Sequence, residues 1–154
     1  MKKKFAALLC GAAFAFSSIC SATIAPDKIA LGRAVPGMNI NHLISIYGQP
    51  MYRDGKELTF RNFEVELDDD DNSIVREIKT KSGAIATPSG VRVGQSESVL
   101  YQAFGNPDRY DDEYEETEYE YYSDDYARKL EITVVNGVIT KIECQLRELM
   151  RISS

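Results

Sequence analysis

Histidine and cysteine are the side chains most often recruited as base, nucleophile or metal ligand near neutral pH. This chain of 154 residues carries one histidine and three cysteines. His42 lies in INHLISIY, where Ile40, Leu43, Ile44 and Tyr47 recur at helical spacing and leave His42 on the opposite, outward side. A Ser-His or Cys-His arrangement needs a base and a group that orients it, and nothing in the sequence frames His42. Cys144 sits in an alternating strand pattern without a nucleophile signature and reads as a small apolar position. No glycine-rich phosphate loop, GxSxG elbow or HExxH motif occurs. The expectation is a protein that is not an enzyme and has no catalytic residue, cofactor or metal.

The segment DDDDNSIVREIK places Asp68, Asp70 and Asn72 at the first, third and fifth positions of an EF-hand loop. The sixth position requires glycine and is Ser73, and the twelfth requires a bidentate glutamate and is Lys79. An acidic loop between two strands is the better reading.

The run DRYDDEYEETEYEYYSDDY, from Asp108 to Tyr126, holds six of the nine tyrosines and ten acids against one arginine. Strand alternation puts Tyr119 and Tyr121 on one face and Glu118 and Glu120 on the other. Packing accounts for one or both of Tyr119 and Tyr121, but not for Tyr110, Tyr114 and Tyr126 as well. Tyrosine offers a large, rigid contact area, and acids around it steer a basic partner. Tyr110, Tyr114, Tyr119, Tyr121, Tyr126, Glu115 and Glu116 are therefore the candidate partner-binding residues.

These side chains must be positioned by a fold, and the N-terminus is not part of it. Lys2, Lys3 and Lys4 precede the apolar stretch FAALLCGAAFAF, and the small residues CSA follow, the pattern of a cleavable secretory signal cut after Ala22. Neither Cys10 nor Cys20 follows a small residue, so no lipid-modification site is expected, and no later stretch is long and apolar enough to span a membrane. Without residues 1–22, fifteen basic side chains face twenty-four acidic ones, a net charge of −9. That balance excludes a nucleic-acid partner, which requires a basic face, and suits an envelope or secreted protein with a basic surface. Only Cys144 remains, so no intramolecular disulfide can form. The expected location is the periplasm or the exterior.

Ala34–Pro50 aligns with Val91–Pro107 without a gap, with identities at Gly37/Gly94, Leu43/Leu100, Gly48/Gly105 and Pro50/Pro107. Asn39 and Ser96 suit helix N-caps. YGQP and FGNP read as helix terminators, with glycine at the stop and proline two residues on. FEVEL and SIVREIK after the first helix, and LEITV and GVITKIEC after the second, alternate as half-buried strands; ELTF and TEYEYY supply earlier ones. Asn136-Gly137 is a two-residue hairpin turn. The expected fold class is α+β: two tandem repeats, 23–82 and 91–154, each a short helical element packed on an antiparallel sheet of about three strands, joined by a linker at 83–90.

The spacing of Gly37, Leu43, Gly48 and Pro50, matched by Gly94, Leu100, Gly105 and Pro107, resembles the repeat of the β-lactamase inhibitory proteins and of the small lipoproteins of the outer-membrane β-barrel assembly machinery. The resemblance implies a helix pair on an antiparallel sheet and a protein-binding role. The chain lacks the disulfide of those inhibitors and the acylated cysteine of those lipoproteins, and the resemblance carries across no contact residue. The functional expectation is an exported, non-enzymatic protein-binding module. The alternatives are a stalk unit of the cell envelope that binds cell-wall carbohydrate, and a hydrolase acting through paired carboxylates.

Overall fold

A computed structural model describes residues 23–148; the leader read over 1–22 lies outside the described residues. After a short 3-10 turn at Pro26–Lys28, helix α1 runs over Ile40–Tyr47. Four strands follow: β1 Tyr52–Asp54, β2 Glu57–Thr59, β3 Glu64–Leu67 and β4 Val75–Thr80. Helix α2 spans Ser98–Phe104 and precedes β5 Arg109–Asp112, β6 Thr117–Tyr122, β7 Arg128–Val135 and β8 Val138–Leu146.

All eight strands form one antiparallel sheet in the order β1-β2-β3-β4-β8-β7-β6-β5. This corrects the expectation of two repeats, each a helix on its own three-stranded sheet. The strands following α1 and those following α2 join edge to edge, with Ile78 opposite Cys144 and Thr80 opposite Ile142 across β4 and β8. The helices are minor elements of 8 and 7 residues, and the sheet is the body of the molecule. The sheet continues across this junction because β4 and β8 each bury apolar side chains, Val75 and Ile78 on one and Ile139, Ile142 and Cys144 on the other, so pairing them satisfies two rows of backbone groups and merges their apolar faces.

The strand count was too low because β1 and β5 occupy the two edges of the sheet, exposed along their whole length. A strand with neither face buried has no reason to alternate, so MYRDGK and the start of the acidic run carried no period-two signal. The Asn136-Gly137 turn is as expected, with positive φ of 51° and 74° at its two residues. Asn39 caps α1, its Oδ1 accepting from the Asn41 N–H at 2.8 Å. In α2 the N-cap position falls one residue later than expected, at Glu97; Ser96 Oγ still accepts from the Ser98 N–H at 3.4 Å, and its backbone bridges to Val138 of β8. The Glu97 N–H donates to the Gly137 carbonyl at 3.0 Å, so the β7–β8 turn supplies an acceptor that a capping side chain would have provided.

Both terminators stop their helices at glycines of positive φ, 82° at Gly48 and 76° at Gly105. Gly48 N–H still closes onto the Ile44 carbonyl at 2.8 Å, but its ψ of −175° is extended rather than left-handed helical. One core cluster includes Leu43 and Leu100 of the helices, Val65, Ile78, Ile132 and Ile142 of the sheet, and loop residues Ile29, Leu31 and Ile85. Ile85 and Thr87 are buried, so the segment 83–90 is packed against the body as well as connecting.

The other sheet face is charged. Register places Glu64, Lys79, Glu143, Glu131, Glu120 and Arg109 in one row across β3, β4, β8, β7, β6 and β5. Among the described residues no helix is long and apolar enough to cross a membrane.

Candidate interaction surface

The acidic tyrosine run folds as the β5–β6 hairpin at one edge of the sheet, with Tyr110 opposite Tyr119 and Asp112 opposite Thr117. Its turn closes through the Glu113 N–H on the Glu116 carbonyl at 3.0 Å, and Thr117 Oγ1 donates to Asp112 Oδ1 at 3.1 Å. At the tip, Tyr114 is as exposed as a side chain can be, at 101 %, and Glu115 and Glu116 flank it, exposed.

The seven candidate residues separate into three environments. Tyr119 and Tyr121 are core residues, 3 % and 0 % exposed. Tyr121 packs against Phe104 of α2, ring centroids 5.2 Å apart, so inward alternation on β6 explains it completely. Tyr119 Oη donates to Glu97 Oε2 at 2.9 Å. Burial first, and then the Glu97 carboxylate that accepts its hydrogen bond, hold the Tyr119 phenol well above the usual range. Neither ring is available for contact, and both leave the binding surface. Tyr126 is half-exposed but lies in the β6–β7 turn at positive φ, under the guanidinium of Arg147, which stacks over Tyr122 at 4.3 Å and stands 5.9 Å from the Tyr126 ring.

Tyr110, Tyr114, Glu115 and Glu116 remain together on the edge hairpin. Tyr110 is half-exposed and meets Tyr119 edge-on at 5.2 Å. Tyr101 of α2 meets the same ring from the helix at 6.2 Å and is also half-exposed. Tyr119 is thus a buried pivot between two accessible phenols. Sequence reasoning missed Tyr101, because on a seven-residue helix it follows Leu100 and carries no mark beyond falling off the apolar stripe.

The charge of the hairpin is uncompensated. Asp111, Asp112, Glu113, Glu115 and Glu116 have no ion-pair partner among the described residues. The row on the open sheet face contrasts with it. Lys129 Nζ lies 2.7 Å from Glu131 and 3.5 Å from Glu120, and Lys141 Nζ lies 2.6 Å from Glu143. Burial raises the Glu131 carboxyl, but the hydrogen bond and charge of Lys129 outweigh it and leave Glu131 below the usual carboxylate range. The carboxylates that register brings side by side are each engaged by a lysine.

The remaining chemistry-bearing residues stand apart. His42 is exposed on α1. Cys144 is fully buried on β8, and burial, with a smaller push from Glu143, raises its thiol and keeps it protonated. In the DDDDNS loop, Asp68 Oδ1 accepts from the Asp70 and Asp71 N–H groups at 3.0 and 3.1 Å, and Asp71 Oδ1 accepts from Ser73. These acids shape the turn. Among the described residues no cluster of three or more histidine, cysteine, aspartate or glutamate side chains has metal-holding geometry.

No family model matches this chain, and no curated protein matches it by sequence. Solved structures do match its fold. A DUF4309 family protein from Bacillus subtilis shares 14 % identity at a TM-score of 0.50, over 71 % of this chain and 78 % of that one. A cysteine-rich secretory protein from Staphylococcus aureus shares 16 % identity at 0.51, over 73 % of this chain and 45 % of that one. An extracellular protein containing an SCP domain, from Bacillus anthracis, shares 9 % identity at 0.50, over 96 % of this chain and 50 % of that one. Identities this low establish a shared fold and nothing finer. None of the three is a β-lactamase inhibitory protein or an assembly lipoprotein. The chain spans about half the length of the second and third.

Proposed function

We propose that this chain is an exported, non-enzymatic protein-binding module whose contact surface is the β5–β6 hairpin together with Tyr101 and Tyr110 at its base. The observation that carries the reading is Tyr114. A fully exposed aromatic at the tip of a hairpin, among five acids without ion-pair partners, contributes nothing to the fold around it. Exposed rigid aromatics with a charged surround are the composition of a recognition patch. The partner is a protein with a basic surface, attracted over about a Debye length of 8–10 Å.

Export rests on Lys2–Lys4, the apolar stretch after them and the small residues before Thr23. Two of the structural relatives are described as secretory or extracellular. A cut after Ala22 also leaves Ile24, which is 8 % exposed and whose backbone bonds to Tyr122 and Asp124, in the mature chain.

A photo-crosslinking residue placed at position 114 in producing cells should give a discrete protein adduct that fades with added salt and with Tyr110→Ala. The same residue at position 52, also exposed but on the opposite edge strand, should not. Equal adducts from both positions, or none at 114, would overturn the proposal.

A further inference from the structure

On the open sheet face, a cleft of about 530 Å³ lies between the β2–β3 loop, the end of β4 and strand β8. Its volume is that of a small-molecule site rather than a protein footprint. Arg61, Lys79, Lys81 and Lys141 line it, against the carboxylates of Glu64 and Glu143. Both carboxylates are already engaged: Lys79 Nζ is 3.5 Å from Glu64, and Lys141 Nζ is 2.6 Å from Glu143. Arg61 and Lys81 are exposed and have no ion-pair or hydrogen-bond partner for their charged groups among the described residues. Two uncommitted cations therefore face one concavity in a strongly acidic chain.

The rest of the lining is polar with an aromatic wall. The Asn62 side-chain amide makes no hydrogen bond among the described residues, and the Ser82 and Thr59 side chains stand nearby. Phe60 and Phe63 are stacked at 4.9 Å with their planes 12° apart, each 5 % exposed, and close the cleft from inside. Chain position explains the convergence. Thr80 Oγ1 donates to the Asn62 carbonyl at 2.6 Å, tying the β2–β3 loop that carries Arg61 to the end of β4 that leads into Lys81, and both cations line the cleft.

We propose that this cleft binds a small, hydroxyl-bearing anion, a carboxylate- or phosphate-carrying molecule of sugar size, through Arg61 and Lys81. The two cations take the anionic group, the Asn62 amide and the hydroxyls take the polar body, and the phenylalanine wall excludes water on one side. The site is separate from the acidic hairpin: its nearest lining strand, β8, is two positions from β6 across the sheet, about 10 Å at the usual strand spacing, and Arg61 and Lys81 lie on its far side.

The test is an amide-shift titration of the labelled protein with D-glucuronate, inorganic phosphate and neutral D-glucose. Saturable shifts confined to residues 59–64, 79–82 and 141–143 are expected with glucuronate, with or without a weaker response to phosphate, and none with glucose. Phosphate alone would reduce the site to a bare-anion contact and overturn the hydroxyl-bearing reading. The Arg61→Ala/Lys81→Ala variant should weaken binding about tenfold or more, the effect of losing charge-assisted contacts. Arg53→Ala, on the exposed edge strand β1, should leave it unchanged. Saturation by none of the three, equal response to glucose, or undiminished binding in the double variant would overturn the proposal.

Discussion

A tyrosine hydroxyl that must be buried needs an acceptor, and Tyr119 finds one in Glu97 at 2.9 Å. Tyr119→Phe should cost about 1 kcal/mol in urea denaturation, because Glu97 is half-buried and water can replace the lost donor in part. Tyr114→Ala should stay within about 0.5 kcal/mol of the parent, as a surface change away from packing does. A comparable loss at both positions would assign Tyr114 to the fold. Glu77, on the open face, offers a charge test. Burial first, then the charges of Glu143 and Glu66, hold its carboxyl above the usual range. A raised acid binds its proton more tightly in the folded state, so stability falls as pH rises from about 4.5, the unfolded value, through the raised folded one. Glu77→Gln should therefore raise the melting temperature slightly at pH 7, and the gain should vanish below about pH 4. A gain that persists in acid would mean that packing, not charge, is responsible.

Residues with a local reason for their conformation were the ones that could be read in advance. Gly48 ends α1 because only a residue without Cβ adopts positive φ with extended ψ at low cost. Its Cβ position is open space, so Gly48→Ala isolates the backbone term and should cost about 1–2 kcal/mol. A neutral result in thermal denaturation would show that the helix end relaxes. Val65, Ile78, Leu130 and Ile132 alternate because one sheet face is buried, and their strands were legible for that reason. Tyr52–Asp54 and Arg109–Asp112 face solvent on both sides, and only tertiary pairing makes them strands. In the candidate surface, the acidic run was visible in the sequence, but the division of its tyrosines was not. Which of Tyr110 and Tyr119 is covered depends on where α2 lies over the sheet, and the spacing of residues within β5 and β6 cannot say.

Because β4 pairs with β8 and one core cluster runs beneath all the inner strands, the described chain has no plane along which two parts separate dry. Unfolding should be a single cooperative transition. Ile78→Ala, at the junction, should cost about 2–5 kcal/mol and shift probes in β2 and β6 by the same amount; two resolved melting steps would contradict this. The same junction explains why apolar periodicity showed two repeats but not the single sheet they share: each strand set is internally consistent, and the pairing that merges them involves residues 62 to 68 positions apart, Thr80 with Ile142 and Glu77 with Gln145. The β6–β7 turn also receives both extremities of the described chain. Ile24 N–H donates to Tyr122 and its carbonyl accepts from Asp124, while Arg147 N–H donates to Ala127. Entry and exit share one corner, so a longer polypeptide could leave its own path there, build the whole sheet as an excursion and resume where it left off. Two structural relatives about twice as long as the matched region show that the fold can indeed be one portion of a larger chain.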